Sequence, residues 1–470
     1  MAKPQRKARI VGTLGPASGS PEAIEALIDA GMDVARLNFS HGTHEDHRRR
    51  LTLVRAAAEK AGRPVAVLQD LQGPKIRVGR LRGGRAFLKE GESVTLTTRE
   101  TTGGKGILPT TYAGLPADVR KGEAVLLDDG RLRLVVTAVG RHDVKCRVLV
   151  GGVIRDQKGI NLPESDVKTP SLTEKDIDDV LFGREIGVDY VALSFVRSEG
   201  DVAALRKVLG DPIPIIAKIE KPQAVERLSE IAAAADGIMI ARGDLGVELP
   251  LERVPLVQKN GIERAIREGK LCIVATEMLE SMVTSVRPTR AEVSDVANAI
   301  LDGAGAVMLS EETATGAHPA LAVQTMSAII AEIERSPRFR SRPPPPALDR
   351  SDSFPMAVAR ACVAAAEQLG IATIVACTQT GRTARLISEH RPAARVFAVT
   401  PLPETWRRMA LYWGVAPVVI PPYGSTDEMF RFVSEVLVGR GLCKRGEAVV
   451  IASGVPNQPE STNLMTVHRL

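Results

Sequence analysis

Apolar residues along this chain gather into eight short β-rich runs, at 8–13, 33–40, 64–71, 190–196, 214–220, 237–244, 272–278 and 306–312. The segments between them, such as 21–30, 45–61, 174–186 and 289–301, space their apolar residues by three and four and carry helix-start signals. Strict alternation of strand and helix calls for a parallel sheet, and eight such units imply a closed (β/α)8 TIM barrel of the α/β class. Polar residues cluster where the runs end: Asn38, Ser40, Asp70, Ser194, Lys218, Glu220, Asp244, Thr276 and Ser310. In such a barrel the C-terminal rim of the strands is the catalytic face.

The alternation breaks after the third run. Residues 72–168 are rich in Gly, Arg, Val and Thr, with strand-like alternation at 92–98, 123–128 and 144–150. This predicts a small inserted β-barrel domain, placed to act as a lid. Four consecutive prolines within 342–347 predict a stiff linker. Beyond it, 357–369, 371–377, 396–399 and 449–452 suggest a separate three-layer α/β domain. The expected division is a catalytic barrel at 1–71 and 169–341, a lid at 72–168, the linker, and a C-terminal regulatory domain at 348–470.

Composition narrows the class. At 470 residues the chain exceeds one typical domain, and 44% hydrophobic with 25% charged residues is ordinary for a globular protein. Aromatics make up only 3%, so Ala, Val, Ile and Leu must build the core. Neither a long apolar run nor an N-terminal h-region is present, so a cytoplasmic protein with no membrane association is expected. The five cysteines are scattered without a Cys-x-x-Cys and read as reduced thiols. A net charge of +6 lacks the aromatic-interleaved basic patch of a nucleic-acid binder. Attraction of small phosphorylated anions accounts for its sign equally well.

Lys218 and Glu220 stand two residues apart at the end of one run, so they share a face of its strand. Asp244 is expected at the end of the next strand. A cation and a carboxylate at the mouth of an apolar strand are costly to bury unless paired or bound to something. Two carboxylates and a lysine on one rim suit a divalent metal beside a transferring phosphoryl group. A structural ion pair is the competing reading of Lys-x-Glu taken alone.

Seven motifs, at 32–42 (Met-Asp-Val-Ala-Arg-Leu-Asn-Phe-Ser-His-Gly), 69–79, 158–163 (Lys-Gly-Ile-Asn-Leu-Pro), 217–220, 241–248, 275–282 and 287–302, together strongly resemble pyruvate kinase. The resemblance runs from about residue 7 to the C-terminus. It implies phosphoryl transfer from phosphoenolpyruvate to ADP, giving ATP and pyruvate, with Mg²⁺ or Mn²⁺ required, in a homotetramer. Glu220 and Asp244 resemble the metal ligands, and Mg²⁺ takes few carboxylates alongside waters and substrate oxygens. Lys218 resembles the lysine that stabilises charge growing on the enolate oxygen. Gly243 and Asp244 open a turn whose N–H groups can hold the substrate carboxylate. Thr276 resembles the threonine that binds this carboxylate and relays the proton. Arg36 and Arg77 are expected on the same rim, binding phosphates through their forked guanidiniums.

The resemblance extends to nucleotide, cation and effector sites. Asn38, His41 and Lys158 match nucleotide contacts, Lys158 arriving as the lid closes. Asn38, Ser40, Asp70 and the carbonyl of Leu71 match a potassium site. The set Leu71, Gln72 and Lys75 resembles the potassium-independent branch, in which the Lys75 ammonium replaces K⁺. Thr378, Thr380, Gly381, Arg382 and Thr383 form a loop that resembles the phosphate nest of an allosteric effector. His41, His44 and His47 suggest a metal motif only weakly, because His44 and His47 open a charged helix read as a solvated face. Trp406 and Trp413 are read as core residues of the last domain. Two departures from the family pattern, Glu277 and Glu311, add negative charge near the rim. A metal-dependent pyruvate aldolase or lyase would have no use for Lys158 or a lid. A scaffold or RNA binder would not need Lys218, Glu220, Asp244 and Thr276 together.

Overall fold

The computed structural model describes residues 6–165, 167–210, 213–340, 353–454 and 462–470. The expected proline linker at 342–347 lies outside them. Eight parallel strands close into a barrel: β1 (Arg9–Thr13), β2 (Val34–Asn38), β3 (Ala66–Asp70), β4 (Tyr190–Leu193), β5 (Ile215–Ile219), β6 (Gly237–Ala241), β7 (Leu271–Ala275) and β8 (Ala306–Leu309). Every strand but β1, which ends at Thr13 as predicted, stops short of its predicted end, because the terminal polar residues turn out of the ladder to face the mouth.

Alternation along the strands builds the interior in layers. Val34, Leu68, Tyr190, Ala192, Ile216, Met239, Ile273 and Met308 share one apolar cluster inside the barrel. Ile215, Ala217 and Ile219 of β5 belong instead to the larger cluster between barrel and helices. Lys218, two residues beyond Ile216, therefore points inward above the apolar layers. The same count places Arg36 above Val34, Asp70 above Leu68 and Ser194 above Ala192.

The opposite end of the barrel is plugged. Ala410 and Leu411 of the C-terminal unit enter the interior cluster, and the Tyr190 hydroxyl donates to the Arg408 carbonyl at 2.7 Å. Trp413, read above as core of the last domain, is packed in the barrel's outer cluster. Trp406 is only half-buried, its Nε1 donating to the Pro417 carbonyl.

The insert holds a six-stranded sheet, in the order Ile160–Asn161, Ala124–Leu127, Leu132–Val139, Asp143–Val150, Ser93–Thr97, Ile107–Pro109. A ribbon of Arg85–Leu88 with Gly152–Arg155 wraps the same apolar core, although the described ladder is not a closed ring. The C-terminal unit has a five-stranded sheet with apolar clusters on both faces, covered by Phe354–Leu369 and Arg382–Glu389 on one side and Thr426–Gly439 on the other. No helix among the described residues is long and apolar enough to cross a membrane.

Candidate active site at the barrel mouth

Four inward side chains of neighbouring strands form one hydrogen-bonded cluster. Lys218 Nζ donates to Ser194 Oγ at 2.8 Å and lies 3.3 Å from both Asp70 Oδ1 and Glu220 Oε2. Arg36 Nε donates to Asp70 Oδ2 at 2.6 Å, and its Nη1 donates to Thr13 Oγ1 at 3.0 Å. The Ser194 hydroxyl in turn donates a hydrogen bond to the Leu71 carbonyl at 2.7 Å. Burial alone would lower the Lys218 ammonium, but the Asp70, Glu220 and Asp244 carboxylates outweigh it and hold the pKa above its ordinary value. Lys218 is thus a fixed cation and not a base.

Glu220 is in the opposite condition. Its burial is complete and pushes the carboxyl upward; Lys218 opposes that push, whereas Asp244 adds to it. Glu220 Oε1 accepts the Phe195 N–H at 2.6 Å, but Oε2 has no hydrogen bond. That oxygen, 3.3 Å from the Lys218 ammonium and beside a second acid, keeps hydrogen-bonding capacity for a further cation. Among the described residues no group of three or more His, Cys, Asp or Glu is arranged to hold a metal. Two carboxylates with open positions suit Mg²⁺ or Mn²⁺, which fill out their shells with water and substrate oxygens. The residues present therefore fit a divalent ion.

Asp244 is not at a strand end as predicted. It lies in the first turn of the helix Arg242–Glu248, because the chain turns directly from β6 into that helix. Gly243 is required there: a Cβ on it would fall 2.6 Å from Thr276 Cγ2. Thr276 and Glu277 hold positive φ values of 77° and 54°, a sharp turn kept in place by Arg242, whose Nη2 donates to the Thr276 carbonyl at 2.6 Å. Arg242 is in turn paired with Asp295 at 2.7 Å. Neither Arg242 nor Thr13 stood out in the sequence, since each acts through a partner far along the chain.

The other expected site residues are dispersed. Arg77 lies beyond the end of β3, in the insert, where its Nη1 donates to the Gln157 carbonyl at 2.9 Å. Lys158 is paired with Asp128 of the insert at 2.7 Å. Asn38 Oδ1 accepts the Ser40 N–H at 3.1 Å, while His41 is exposed. Lys75 lines the cleft between insert and barrel together with Asn161, Phe195, Lys221 and Asp244, and its ammonium makes no hydrogen bond or ion pair among the described residues.

His44 bonds Asp179 at 2.7 Å. His47, expected on a solvated face, is buried and stacked on Phe39 at 3.9 Å; burial and Arg50 lower it to about 4. In the C-terminal loop Thr378 Oγ1 accepts the Gly381 N–H at 2.9 Å, and the Thr383 hydroxyl is buried against Thr462 at 2.7 Å. Thr380 is exposed and Arg382 half-exposed. Glu277 and Glu311 are exposed; partial burial, with Glu312 and then Glu311 and Glu277 adding to it, pushes Glu280 up to about 7.

Comparison with known proteins agrees with this architecture along its length. The family model for the pyruvate kinase barrel domain matches residues 5–323, and that for the pyruvate kinase alpha/beta domain matches residues 356–468. Pyruvate kinase of Mycobacterium tuberculosis (strain ATCC 25618 / H37Rv) is 46% identical over 469 residues, 99% of this chain and 98% of that protein. Pyruvate kinase of Geobacillus stearothermophilus is 45% identical over 471 residues, 99% of this chain and 80% of that protein. The crystal structure of a pyruvate kinase from Cryptosporidium parvum superposes with a TM-score of 0.91 at 37% identity, covering 99% of this chain and 96% of that one. The chain belongs to the pyruvate kinase family. The family's reaction, transfer of a phosphoryl group from phosphoenolpyruvate to ADP in the last step of glycolysis, is its activity.

Proposed function

We propose that phosphoryl transfer takes place at the barrel mouth, over Lys218, with Glu220 and Asp244 as the ligands of Mg²⁺ or Mn²⁺. The observation that carries this reading is Glu220 Oε2, buried without a hydrogen bond and 3.3 Å from the buried Lys218 ammonium. When bound, the divalent ion neutralises phosphoryl oxygens. The remaining work belongs to side chains. The substrate carboxylate rests on the N–H groups of Gly243 and Asp244 and on the Thr276 hydroxyl, and Arg36 holds the phosphate. As the phosphoryl group departs, negative charge grows on the enolate oxygen, where Lys218 stabilises it by about 3–4 kcal/mol. Thr276 then relays the proton that yields pyruvate.

Asn38, His41, Arg77 and Lys158 serve the nucleotide, the last two carried in by the insert. The working division is a barrel at 1–71 and 169–341, a lid at 72–168 and a regulatory domain at 348–470, assembled as a cytoplasmic homotetramer. ATP formation from phosphoenolpyruvate and ADP, measured with and without Mg²⁺, tests the core of this reading; metal-independent turnover contradicts it.

Two finer proposals follow from particular residues. Lys75 supplies the positive charge that K⁺ gives other members, so activity should be full in tetramethylammonium salts. Lys75→Glu should lower it there and respond to added K⁺; a wild-type requirement for K⁺ overturns the idea. The loop Thr378–Thr383 receives a phosphate of an allosteric effector, a sugar phosphate or nucleoside monophosphate, chiefly through Thr380 and Arg382. Calorimetry on Arg382→Ala with a panel of such ligands tests it, and binding indifferent to that substitution contradicts it.

A further inference from the structure

Besides the hydrogen bonds at Gly73 and Val167, where the chain passes between lid and barrel, a side-chain hydrogen bond ties the two together. Asn161, on the lid strand Ile160–Asn161, donates from Nδ2 to Glu248 Oε1 at 2.8 Å. Glu248 is buried, and Lys221 Nζ reaches the same oxygen at 2.5 Å. Its other oxygen, Oε2, is buried without a hydrogen bond. Lys221 follows Glu220 directly, and Glu248 lies one helical turn beyond Asp244 on Arg242–Glu248. The Lys221–Glu248 pair therefore braces the two segments that carry the metal carboxylates. Lys221 Nζ also stands 5.5 Å over the Phe195 ring, and the Phe195 N–H is the donor to Glu220.

None of the three residues needs to touch a reacting atom. What they control is charge and position. With Glu248 ionised, the Lys221 cation is neutralised one residue from Glu220. Without it, the half-buried Lys221 ammonium, which lines the same cleft as Asp244, would add an unneutralised positive charge near the metal pair, in a medium that is poorly polarisable. The lid amide docks on the very oxygen that neutralises Lys221.

We propose that Asn161, Glu248 and Lys221 form a brace of positioning residues that fixes the lid against the metal-binding helix and keeps the Lys221 charge away from Glu220 and Asp244. This rests on the reading of Glu220 and Asp244 as the metal pair. Mn²⁺ affinity of the resting enzyme, measured by electron paramagnetic resonance, and backbone hydrogen exchange test it without relying on turnover. Glu248→Gln should weaken Mn²⁺ binding about tenfold by unmasking Lys221. Lys221→Met combined with Glu248→Gln should restore it to within about twofold, since the net charge is again that of the native pair. Asn161→Ala should leave Mn²⁺ affinity unchanged, speed exchange at 159–162 and 242–248 together by about tenfold, and raise KM for ADP more than it lowers kcat. If the double variant binds Mn²⁺ as poorly as Glu248→Gln, the charge argument is overturned. If Asn161→Ala leaves exchange unaltered, the lid contact is overturned. Glu220→Gln is the control: Mn²⁺ binding that survives it refutes the metal pair itself, and the exchange arm then judges the lid contact alone.

Discussion

The two ends of the barrel both bury clusters of charge, yet they are built with opposite balance. At the floor, Asp33 Oδ2 accepts from Arg6 at 2.7 Å and from the Ile10 N–H at 2.9 Å. Arg9 and Arg63 stand 3.7 Å from its other oxygen. Burial would raise the Asp33 carboxyl, but the three arginines together hold it below its usual range. Asp189 is likewise enclosed, by Arg55 at 2.8 Å, Arg407 at 3.1 Å and the Val67 N–H at 2.7 Å. At the mouth the acids outnumber their partners, with Asp70, Glu220 and Asp244 surrounding Lys218, and burial wins at Glu220. A saturated ion cluster holds elements together; one with an open acceptor is set to receive a cation.

This contrast is sharpest where one substitution at each end is compared. Asp33→Ala leaves three buried or half-buried arginines uncompensated, and it should cost about 3–5 kcal/mol of stability while the surviving enzyme keeps its kcat. Chemical denaturation alongside kinetics would show this. Lys218→Met should do the reverse. Turnover should fall by about 10²–10³, equivalent to about 3–4 kcal/mol, with KM for phosphoenolpyruvate changed only a few-fold and the melting temperature not reduced. A Lys218→Met enzyme of near-normal turnover would put the mouth on the same footing as the floor.

Glu389, where the C-terminal unit meets the barrel, breaks the rule for the floor. Both its oxygens are buried without hydrogen bonds, Arg385 is 3.6 Å away, and burial pushes the carboxyl up to about 7 despite the cations near it. A folded-state pKa above the unfolded one means that the native state binds the proton more tightly. Stability from this group is therefore present at low pH and lost as pH rises from about 4.5 through about 7. Glu389→Gln should remove that loss and stabilise the protein by up to about 3 kcal/mol at pH 8, with little change at pH 4. Asp33, held low, works the other way, its contribution disappearing only as pH falls below the usual carboxylate range. Thermal melts across pH distinguish the two groups.

A smaller effect sharpens the geometry of the mouth. Gly243→Ala would press a Cβ to 2.6 Å from Thr276 Cγ2. The expected result is a loss of about tenfold or more in kcat/KM for phosphoenolpyruvate at unchanged KM for ADP. An equal loss for both substrates would indicate general disruption instead.

Much of this was legible in the sequence because it is local. Apolar runs with period two place Val34, Leu68, Ala192 and Ile216 inside, so the next inward residues, Arg36, Asp70, Ser194 and Lys218, are recoverable by counting alone. Strand ends were overrun because the final polar residues still look like strand while the chain has already turned; Asp244 is the clearest case. Contacts between distant segments leave no periodic signal. The plug of Ala410 and Leu411, the Arg242 clamp on Thr276 and the Asn161–Glu248 bond all depend on partners tens to hundreds of residues away. His47 was misplaced for a local reason: its stacking on Phe39, eight residues earlier, overrides the charged pattern around it.

The central claim is that Glu220, whose Oε2 makes no hydrogen bond, and Asp244 form the divalent-metal site of the barrel mouth. Anomalous diffraction from crystals soaked in Mn²⁺ tests it most directly. A single strong peak about 2.1–2.2 Å from carboxylate oxygens of both Glu220 and Asp244 is the predicted result. A peak elsewhere, for instance among Glu277, Glu280 and Glu311, with none between Glu220 and Asp244, would contradict it.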